Sequence, residues 1–250
     1  MGKPVLLIRL EGPLQAWGTR ARWDVRDTAR EPTRSGVIGL LAAALGYDRN
    51  DPRIVDELEA GLEIGVRVER EGDILDDYHT ITGYLPTAEG SYRHSGIKTA
   101  SNLAALIGKG AEPSTIQSTR RYLVDASFLV ALACRADADE SLLMRCADAL
   151  RAPHWPLYLG RRSCIPSRPV FETLTTRYDG VEHALRRYPW SCFGFAAESR
   201  GRPAGKLRIV LEGGTRLPRD DRPAHGAARL FARRFVEEHY VDANALEEGT

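Results

Sequence analysis

The spacing of apolar residues changes several times in the first third of the chain, and each spacing predicts a different element. A nearly continuous apolar run from Val5 to Leu10 predicts a mostly buried strand. Apolar residues on all sides of the segment from Val37 to Leu45 predict a buried helix that stops at Gly46. Asp51-Pro52 predicts the start of a second helix, and the alternation from Leu62 to Val68 predicts a second strand.

The middle of the chain repeats this order of elements. Ala126 to Leu132 is typical of a buried strand, Leu142 to Leu150 has helical spacing, and Val170 to Thr175 predicts a fourth strand. Strand, helix, strand, strand, helix, strand is the order of the ferredoxin-like βαββαβ unit, which RNA-recognition domains also use. We therefore predict an α+β, ferredoxin-like (RRM-like) domain over residues 1–176.

Two segments do not fit this unit. Residues 73–120 are polar and weakly periodic, and a structureless loop of that length is uncommon in a compact domain unless it is functional. We predict that they form an insertion, a projecting β-hairpin thumb. Residues 177–250 are predicted to be a small C-terminal elaboration, with a strand at Leu207 to Leu211 and an amphipathic stretch at Leu230 to Val241.

Charge and cysteine usage narrow the class of protein. The formal net charge is +1, so the whole chain is not a strongly basic nucleic-acid binder. The four cysteines show neither CxxC nor zinc spacing, which favours reduced thiols, no metal and no cofactor. The first apolar run is too short for a signal sequence or a membrane span, so we expect a cytoplasmic protein with no membrane contact.

A Gly-flanked turn follows the first predicted strand and presents Gln15 and Trp17. A tryptophan on a turn can stack on a base, and a glutamine can read a base edge. The alternative, somewhat more common for a lone tryptophan, is that Trp17 folds back over the core.

Arg34 and Ser35 lie at the start of the first predicted helix. A helix N-terminus binds anions readily, and an adjacent arginine would strengthen a phosphate contact. The alternative is that Ser35 is an ordinary helix cap.

Asp77-Tyr78-His79-Thr80 places a titratable histidine beside a tyrosine and an aspartate, a combination that could perform acid–base chemistry on RNA. Neighbours on a strand point to opposite faces, so a histidine that only donates or accepts hydrogen bonds is the favoured alternative. At the return end of the predicted thumb, Arg120 could stack on an unpaired base and Tyr122 could brace the strand.

The segment from Tyr158 to Cys164 combines an aromatic ring, a flexible glycine and the adjacent Arg161 and Arg162, followed by Ser163. Stacking surfaces next to phosphate-binding cations are what a single-stranded RNA site needs. The alternative is that the two arginines are solvated surface charges.

These motifs, taken in order, resemble the CasD family of subunits of the type I-E CRISPR Cascade complex, within the RAMP superfamily. The resemblance covers most of residues 5–170. The matching segments are Leu10–Gly18, Pro32–Gly36, Asp77–Thr80, Thr115–Gln117, Tyr122–Phe128 and Tyr158–Cys164.

The resemblance implies a non-catalytic subunit that grips the 5′ handle of the CRISPR RNA and caps the backbone of the complex. It implies three partners: this RNA, the repeated backbone subunit and the large subunit. Tyr78, His79 and Lys98 are among the residues predicted to bind this RNA. Two alternatives remain open. One is a metal-independent endoribonuclease that cuts the repeat RNA with Tyr78, His79 and Lys98, and the other is an assembly protein with no RNA contact.

Overall fold

The computed structural model of the chain describes residues 2–19, 24–83, 104, 105, 107, 113–139, 141–191, 205–225 and 230–248. These residues form two compact units. The larger unit comprises residues 1–20, 27–75 and 122–250, and the smaller unit comprises residues 21–26 and 76–121.

The elements whose bounds are described are ten strands, three α-helices, one π-helical turn and one 3₁₀ turn. The strands are β1 (Val5–Glu11), β2 (Leu14–Gln15), β3 (Val25–Arg26), β4 (Leu62–Arg70), β5 (Asp73–Gly83), β6 (Ser114–Val124), β7 (Ser127–Cys134), β8 (Phe171–Thr175), β9 (Lys206–His225) and β10 (Leu230–Asp242). The helices are α1 (Arg34–Leu45), α2 (Ser141–Arg151) and α3 (Val181–Arg187), with the π-helical turn at Ile54–Glu59 and the 3₁₀ turn at Ala243–Ala245.

The larger unit is a mixed α and β fold around a six-stranded sheet of order β10-β9-β4-β7-β1-β8. Every neighbouring pair in this sheet is antiparallel. Strands β1, β4, β7 and β8 and the helices α1 and α2 follow the predicted order along the chain. The strand predicted at Leu207 to Leu211 is confirmed as part of β9, and the amphipathic stretch that begins at Leu230 is strand β10.

Strand β1 is apolar almost throughout because both faces of the sheet are covered. Leu6, Ile8 and Leu10 point into a core formed with α1 and α2. Val5 and Leu7 point the other way, into a second core formed with α3 and the end of β10. A strand with only one covered face would alternate instead, so the unbroken run reflects this two-sided packing.

Helix α1 begins one turn earlier than predicted and has a different cap. Thr33 is the N-cap residue, and its hydroxyl accepts a hydrogen bond from the backbone N–H of Gly36 at 3.2 Å. Ser35 lies inside the first helical turn and is therefore not the cap. The predicted end is confirmed, because Gly46 has a left-handed backbone with φ of 75°.

Two fully buried arginines donate hydrogen bonds to backbone carbonyls in α3 and in the chain that follows it. The guanidinium of Arg67 donates to the carbonyls of Leu185 and Tyr188 at 2.7 and 2.8 Å. Arg9 donates to the carbonyl of Pro189 at 2.9 Å, and both arginines pair with the buried carboxylate of Glu69. Glu172 supplies a second carboxylate 3.0 Å from Arg9, so two carboxylates match the two cations and allow them inside the protein.

The smaller unit is built on β5 and β6, which pair with each other. The hydroxyls of Thr82 and Thr115 lie 3.0 Å apart, and Arg121 pairs with Asp76 at 2.8 Å, which places the two strands in antiparallel order. Strand β3 runs parallel to β6. The two ends of the predicted thumb are therefore paired strands, while its central part lies outside the described residues.

No helix in the described part of the chain has the length and apolar character needed to cross a lipid bilayer.

Candidate nucleic-acid interface

Two of the sequence motifs meet in the larger unit. The loop of residues 158–164, here called the arginine loop, docks on the turn that contains strand β2. The backbone N–H of Ala16 donates to the carbonyl of Leu159 at 3.0 Å. Gly160 has φ of 97°, and a Cβ at this position would lie 1.8 Å from the carbonyl oxygen of Ala16. Only glycine permits both this backbone conformation and this close approach.

The arginine loop is also closed on itself. The N–H of Leu159 donates to the carbonyl of Cys164, and the N–H of Cys164 donates to the carbonyl of Arg161, both at 2.8 Å. The side chains of Leu159 and Cys164 are fully buried. The loop is therefore fixed on both sides, although Gly160, Arg162 and Ser163 between these anchors are exposed.

The structure brings Tyr122, Arg161 and Ser163 together. The guanidinium carbon of Arg161 lies 4.7 Å from the centre of the Tyr122 ring. The hydroxyl of Ser163 donates to the Tyr122 hydroxyl at 3.4 Å, and Arg161 also donates to the carbonyl of Asp27 at 3.3 Å. Tyr122 is buried, so it acts as a fixed support that holds the half-buried Arg161 in one orientation.

Four arginines lie in or near the arginine loop, and two of them pair with carboxylates. Arg151 pairs with Asp148 at 2.7 Å and Arg168 with Glu172 at 2.9 Å, so Arg161 and Arg162 are the cations that the loop itself presents. Tyr158 is half-buried beside the exposed Arg162, so the surface presents an aromatic ring as well as cations. This composition is suited to a ligand that carries both negative charge and flat rings.

Gln15 and Trp17 have interior positions instead of the base-contacting positions predicted from the sequence. The amide nitrogen of Gln15 donates to the carbonyls of Leu10 and Ala126 at 3.1 and 2.7 Å. Its oxygen accepts the indole N–H of Trp17 at 3.1 Å. Gln15 is fully buried and Trp17 is 1% exposed. The physical reason is that each polar atom of this pair already has a protein partner, which leaves no edge or face for a base.

Arg34 also has an interior role. Its Nε pairs with Glu59 at 2.6 Å, its Nη2 donates to the carbonyls of Glu59 and Leu62, and its Nη1 pairs with Glu212. Its backbone N–H donates to the carboxylate of Asp221 at 2.8 Å. The anion at the start of α1 is therefore a protein carboxylate, which replaces the phosphate predicted there. Ser35, in the same turn, is half-buried.

The C-terminal arginines form part of the same network. Arg208 and Arg219 both pair with the buried Glu31, at 3.1 and 2.9 Å, and Arg234 pairs with Asp221 at 2.6 Å. These pairs line a cavity of about 600 Å³ at the start of α1. These three C-terminal arginines are therefore engaged in ion pairs within the protein.

In the smaller unit, Tyr78 is 63% exposed. His79 Nδ1 lies 3.3 Å from the carboxylate of Asp77. Arg120 is half-buried in β6, where the strand register places it beside Arg26 of β3. Among the described residues, the Nε of Arg120 has no hydrogen-bond partner. Lys98 lies outside the described residues, so the predicted trio of Tyr78, His79 and Lys98 is described only in part.

In the described part of the chain, no three side chains of the His, Cys, Asp or Glu type come together as a metal site.

A family model described as CRISPR-associated protein (Cas_Cas5) matches residues 5–237. The chain belongs to this family. The family predicted from the sequence motifs is thereby confirmed. The match also extends through β9 and most of β10, where the motifs alone gave little resemblance.

Individual relatives of this Cas5-family chain agree with that assignment. The CRISPR system Cascade subunit CasD of Escherichia coli (strain K12) is 38% identical over 176 residues, which cover 66% of this chain and 69% of the relative. A crystal structure of a Cas protein is 34% identical, with a TM-score of 0.66 and 98% of both chains covered. A chain from a CRISPR RNA-guided surveillance complex is 30% identical, with a TM-score of 0.70, and covers 98% of this chain and 94% of that chain.

Proposed function

We propose that this chain is an RNA-binding subunit of a type I-E CRISPR antiviral surveillance complex. In this role it grips the 5′ handle of the CRISPR RNA and caps the backbone of the complex. The observation that carries the proposal is the 38% identity to a protein named as the CasD subunit of Cascade. The likeness to a chain of an RNA-guided surveillance complex supports it.

The arginine loop supplies the chemistry for such a grip. Arg161 is held over the ring of Tyr122, so its guanidinium loses little conformational freedom when it binds a phosphate. Arg162 and Ser163 are exposed beside it, and Tyr158 adds an aromatic surface. Cations that bind phosphates fix the position of the RNA, while contacts to bases read its sequence.

The smaller unit is proposed as a second part of the RNA contact, the thumb of residues 73–120. Arg120 and Arg26 lie side by side in the strand register, and two neighbouring cations attract an anion such as a phosphate. The exposed ring of Tyr78 is available for stacking on a base, and His79 is available to donate a hydrogen bond.

We also propose that strands β1, β4, β7 and β8 form a ferredoxin-like sheet. Their order, β4-β7-β1-β8, corresponds to second, third, first and fourth strand along the chain. This order and the antiparallel pairing are those expected for the βαββαβ unit.

The proposed partners are the CRISPR RNA handle, the repeated backbone subunit and the large subunit, and the proposed compartment is the cytoplasm. The family relationship supports the protein partners, since the CasD relative is itself named as a subunit of Cascade.

The RNA contact is tested with the handle RNA, a single-stranded oligonucleotide that carries the repeat-derived 5′ segment of the CRISPR RNA. Replacing both Arg161 and Arg162 with alanine should weaken binding, and the slope of log affinity against log salt should fall by about 1 to 1.5. Fluorescence anisotropy across a salt series measures both quantities.

The matched control is the adjacent pair Arg186 and Arg187 on α3, whose replacement by alanine removes the same charge. If both double variants lose the same affinity and the same salt slope, the arginine loop is ordinary surface charge and the proposed contact is wrong.

A further inference from the structure

Trp155 is held in place by its backbone, while its ring stays in solvent. The N–H groups of His154 and Trp155 donate to the carbonyls of Ala44 and Ala43, at 2.9 and 3.2 Å. These carbonyls belong to the last turn of α1, where acceptors are left without partners inside the helix. The indole is nevertheless 49% exposed. Its position therefore does not depend on burial of the ring.

The neighbouring ring of His154 braces the indole. The two ring centres lie 4.7 Å apart, with an angle of 86° between the planes. The His154 ring is itself wedged against Gly46, where an added Cβ would lie 2.7 Å from the histidine Cγ. An edge contact of this kind covers at most one face of the indole, so an aromatic surface remains open on a fixed support.

The indole and the arginine loop lie on the same segment of chain. Trp155 contacts the last turn of α1, whereas the arginine loop docks on Ala16, next to the Trp17 ring that packs against Gly36 in the first turn. The helix rises by about 12 Å over the eight steps from Gly36 to Ala44. The segment from Trp155 to Arg161 thus follows the helix, with an open ring at one end and cations at the other.

We propose that Trp155 is a stacking platform for an unpaired base of the bound RNA, an inference that rests on the proposed function. The cations of the arginine loop favour this ligand over a protein surface. Arg161, held on the ring of Tyr122, and the exposed Arg162 attract a polyanion to the same segment of chain. When the phosphates of an RNA strand bind the arginine loop, the neighbouring bases of that RNA lie toward the indole. Stacking accepts any base, so this contact adds affinity without sequence preference.

The first test compares Trp155→Ala and Trp155→Phe in the full chain for binding of the handle RNA. Loss of a base-stacking ring should reduce affinity on the order of 10- to 100-fold in the alanine variant. The phenylalanine variant keeps a ring and should retain most of the affinity. Met144→Ala is the control, because Met144 is an apolar side chain on α2 that is 60% exposed. Its replacement should leave binding unchanged.

The second test replaces the bases of the handle RNA one at a time with abasic sugars. The unchanged chain should lose affinity at the position that stacks on Trp155, and Trp155→Ala should show no further loss at that same position. Such non-additivity identifies a direct contact. Comparison with the phenylalanine variant keeps the test valid even if the alanine variant is less stable.

The results separate this inference from the proposed function. If the unchanged chain does not bind the handle RNA, the proposed function fails and the inference fails with it. If binding is normal and every abasic position acts alike on the unchanged chain and on Trp155→Ala, only the inference is wrong. It is also wrong if Trp155→Ala binds RNA normally but no longer assembles with the other subunits, because Trp155 then contacts protein.

Discussion

At the scale of single residues, arginine side chains have two different roles in this protein, one structural and one suited to ligand binding. The guanidinium of Arg34 is buried and matched by two carboxylates and two carbonyls. The guanidinium of Arg161 lies on the ring of Tyr122 beside the exposed Arg162. The partners decide the role: a cation whose donors are all used inside the fold stabilises it, and a cation held at the surface can bind a ligand.

Glu59 is the residue whose loss should show the structural role most clearly. Its carboxylate pairs with Arg34 at 2.6 Å and with Arg222 at 2.9 Å. Burial raises its pKa, although both guanidinium groups act in the opposite direction. Glu59→Ala leaves Arg34 buried without this partner and should lower the free energy of unfolding by about 3–5 kcal/mol. Denaturant titration measures this loss.

Asp51→Asn is the control for Glu59. It breaks the pair with Arg53, whose side chain is half exposed, and should have little measurable effect on unfolding. Equal losses for the two variants would show that the burial of the Arg34 pair has no special importance.

Several candidate site residues could be chosen from the sequence, but their burial could not. Gln15, Trp17 and Arg34 occur in motifs with the right chemistry for RNA, and their interior positions depend on Ala126, Glu59 and Asp221, which are distant in sequence. By contrast, Arg161 and Arg162 belong to a short loop whose glycine and aromatic neighbours are local. The neighbours of Arg161 can therefore be read from the local sequence, whereas those of Arg34 cannot.

At the scale of elements, regular spacing made prediction possible. Strand β1 and helix α2 have continuous or periodic apolar residues, so their type and position follow from the pattern. Strand β9 is twenty residues long, but only its first part is apolar. The rest is rich in Arg, Asp and Pro and gives no strand period, because its side chains make polar contacts rather than packing into a core. Arg222 pairs with Glu59 of the π-helical turn, and Asp221 accepts the N–H of Arg34 and pairs with Arg234 of β10.

The contact between the arginine loop and the β2 turn should fail when Gly160 gains a side chain. Gly160→Ala combines a left-handed backbone with a Cβ that meets the carbonyl oxygen of Ala16. Strained backbone alone costs about 1–3 kcal/mol, and the clash adds to it. We expect a lower melting temperature and weaker binding of the handle RNA, measured by thermal unfolding and anisotropy.

Gly180→Ala separates these two effects. Gly180 also has a positive φ, of 109°, but a Cβ there would meet no atom within 4 Å. The Gly180→Ala variant should therefore have a melting temperature lowered only by the backbone strain, and its RNA binding should be unchanged. If Gly160→Ala is no worse than Gly180→Ala in both measurements, the close approach to Ala16 does not hold the arginine loop.

At the scale of the whole molecule, the family relationship leaves one chemical question for experiment. We expect the full chain to bind its repeat RNA without cutting it, because the proposed role is that of a subunit that holds the processed RNA. Incubation with end-labelled repeat RNA, with and without divalent metal, followed by denaturing electrophoresis, should show only intact RNA.

The opposite result would support the endoribonuclease alternative. His79 lies 3.3 Å from Asp77 and next to the exposed Tyr78, so these are the described residues that such chemistry would use. Site-specific cleavage that disappears in His79→Ala, and persists in His183→Ala as a control for an exposed histidine on α3, would make the protein an enzyme.

The carboxylate of Asp221 at the start of α1 has a consequence for how the protein is made. The carboxylate of Asp221 accepts a hydrogen bond from the backbone N–H of Arg34, and the two residues are 187 positions apart in the chain. During translation, helix α1 leaves the ribosome long before the carboxylate that completes its first turn has been synthesised. Contacts between such distant residues form late and slow folding. The first turn of α1 therefore gains this hydrogen bond only after residue 221 has been synthesised, and a nascent chain that ends before residue 221 lacks it.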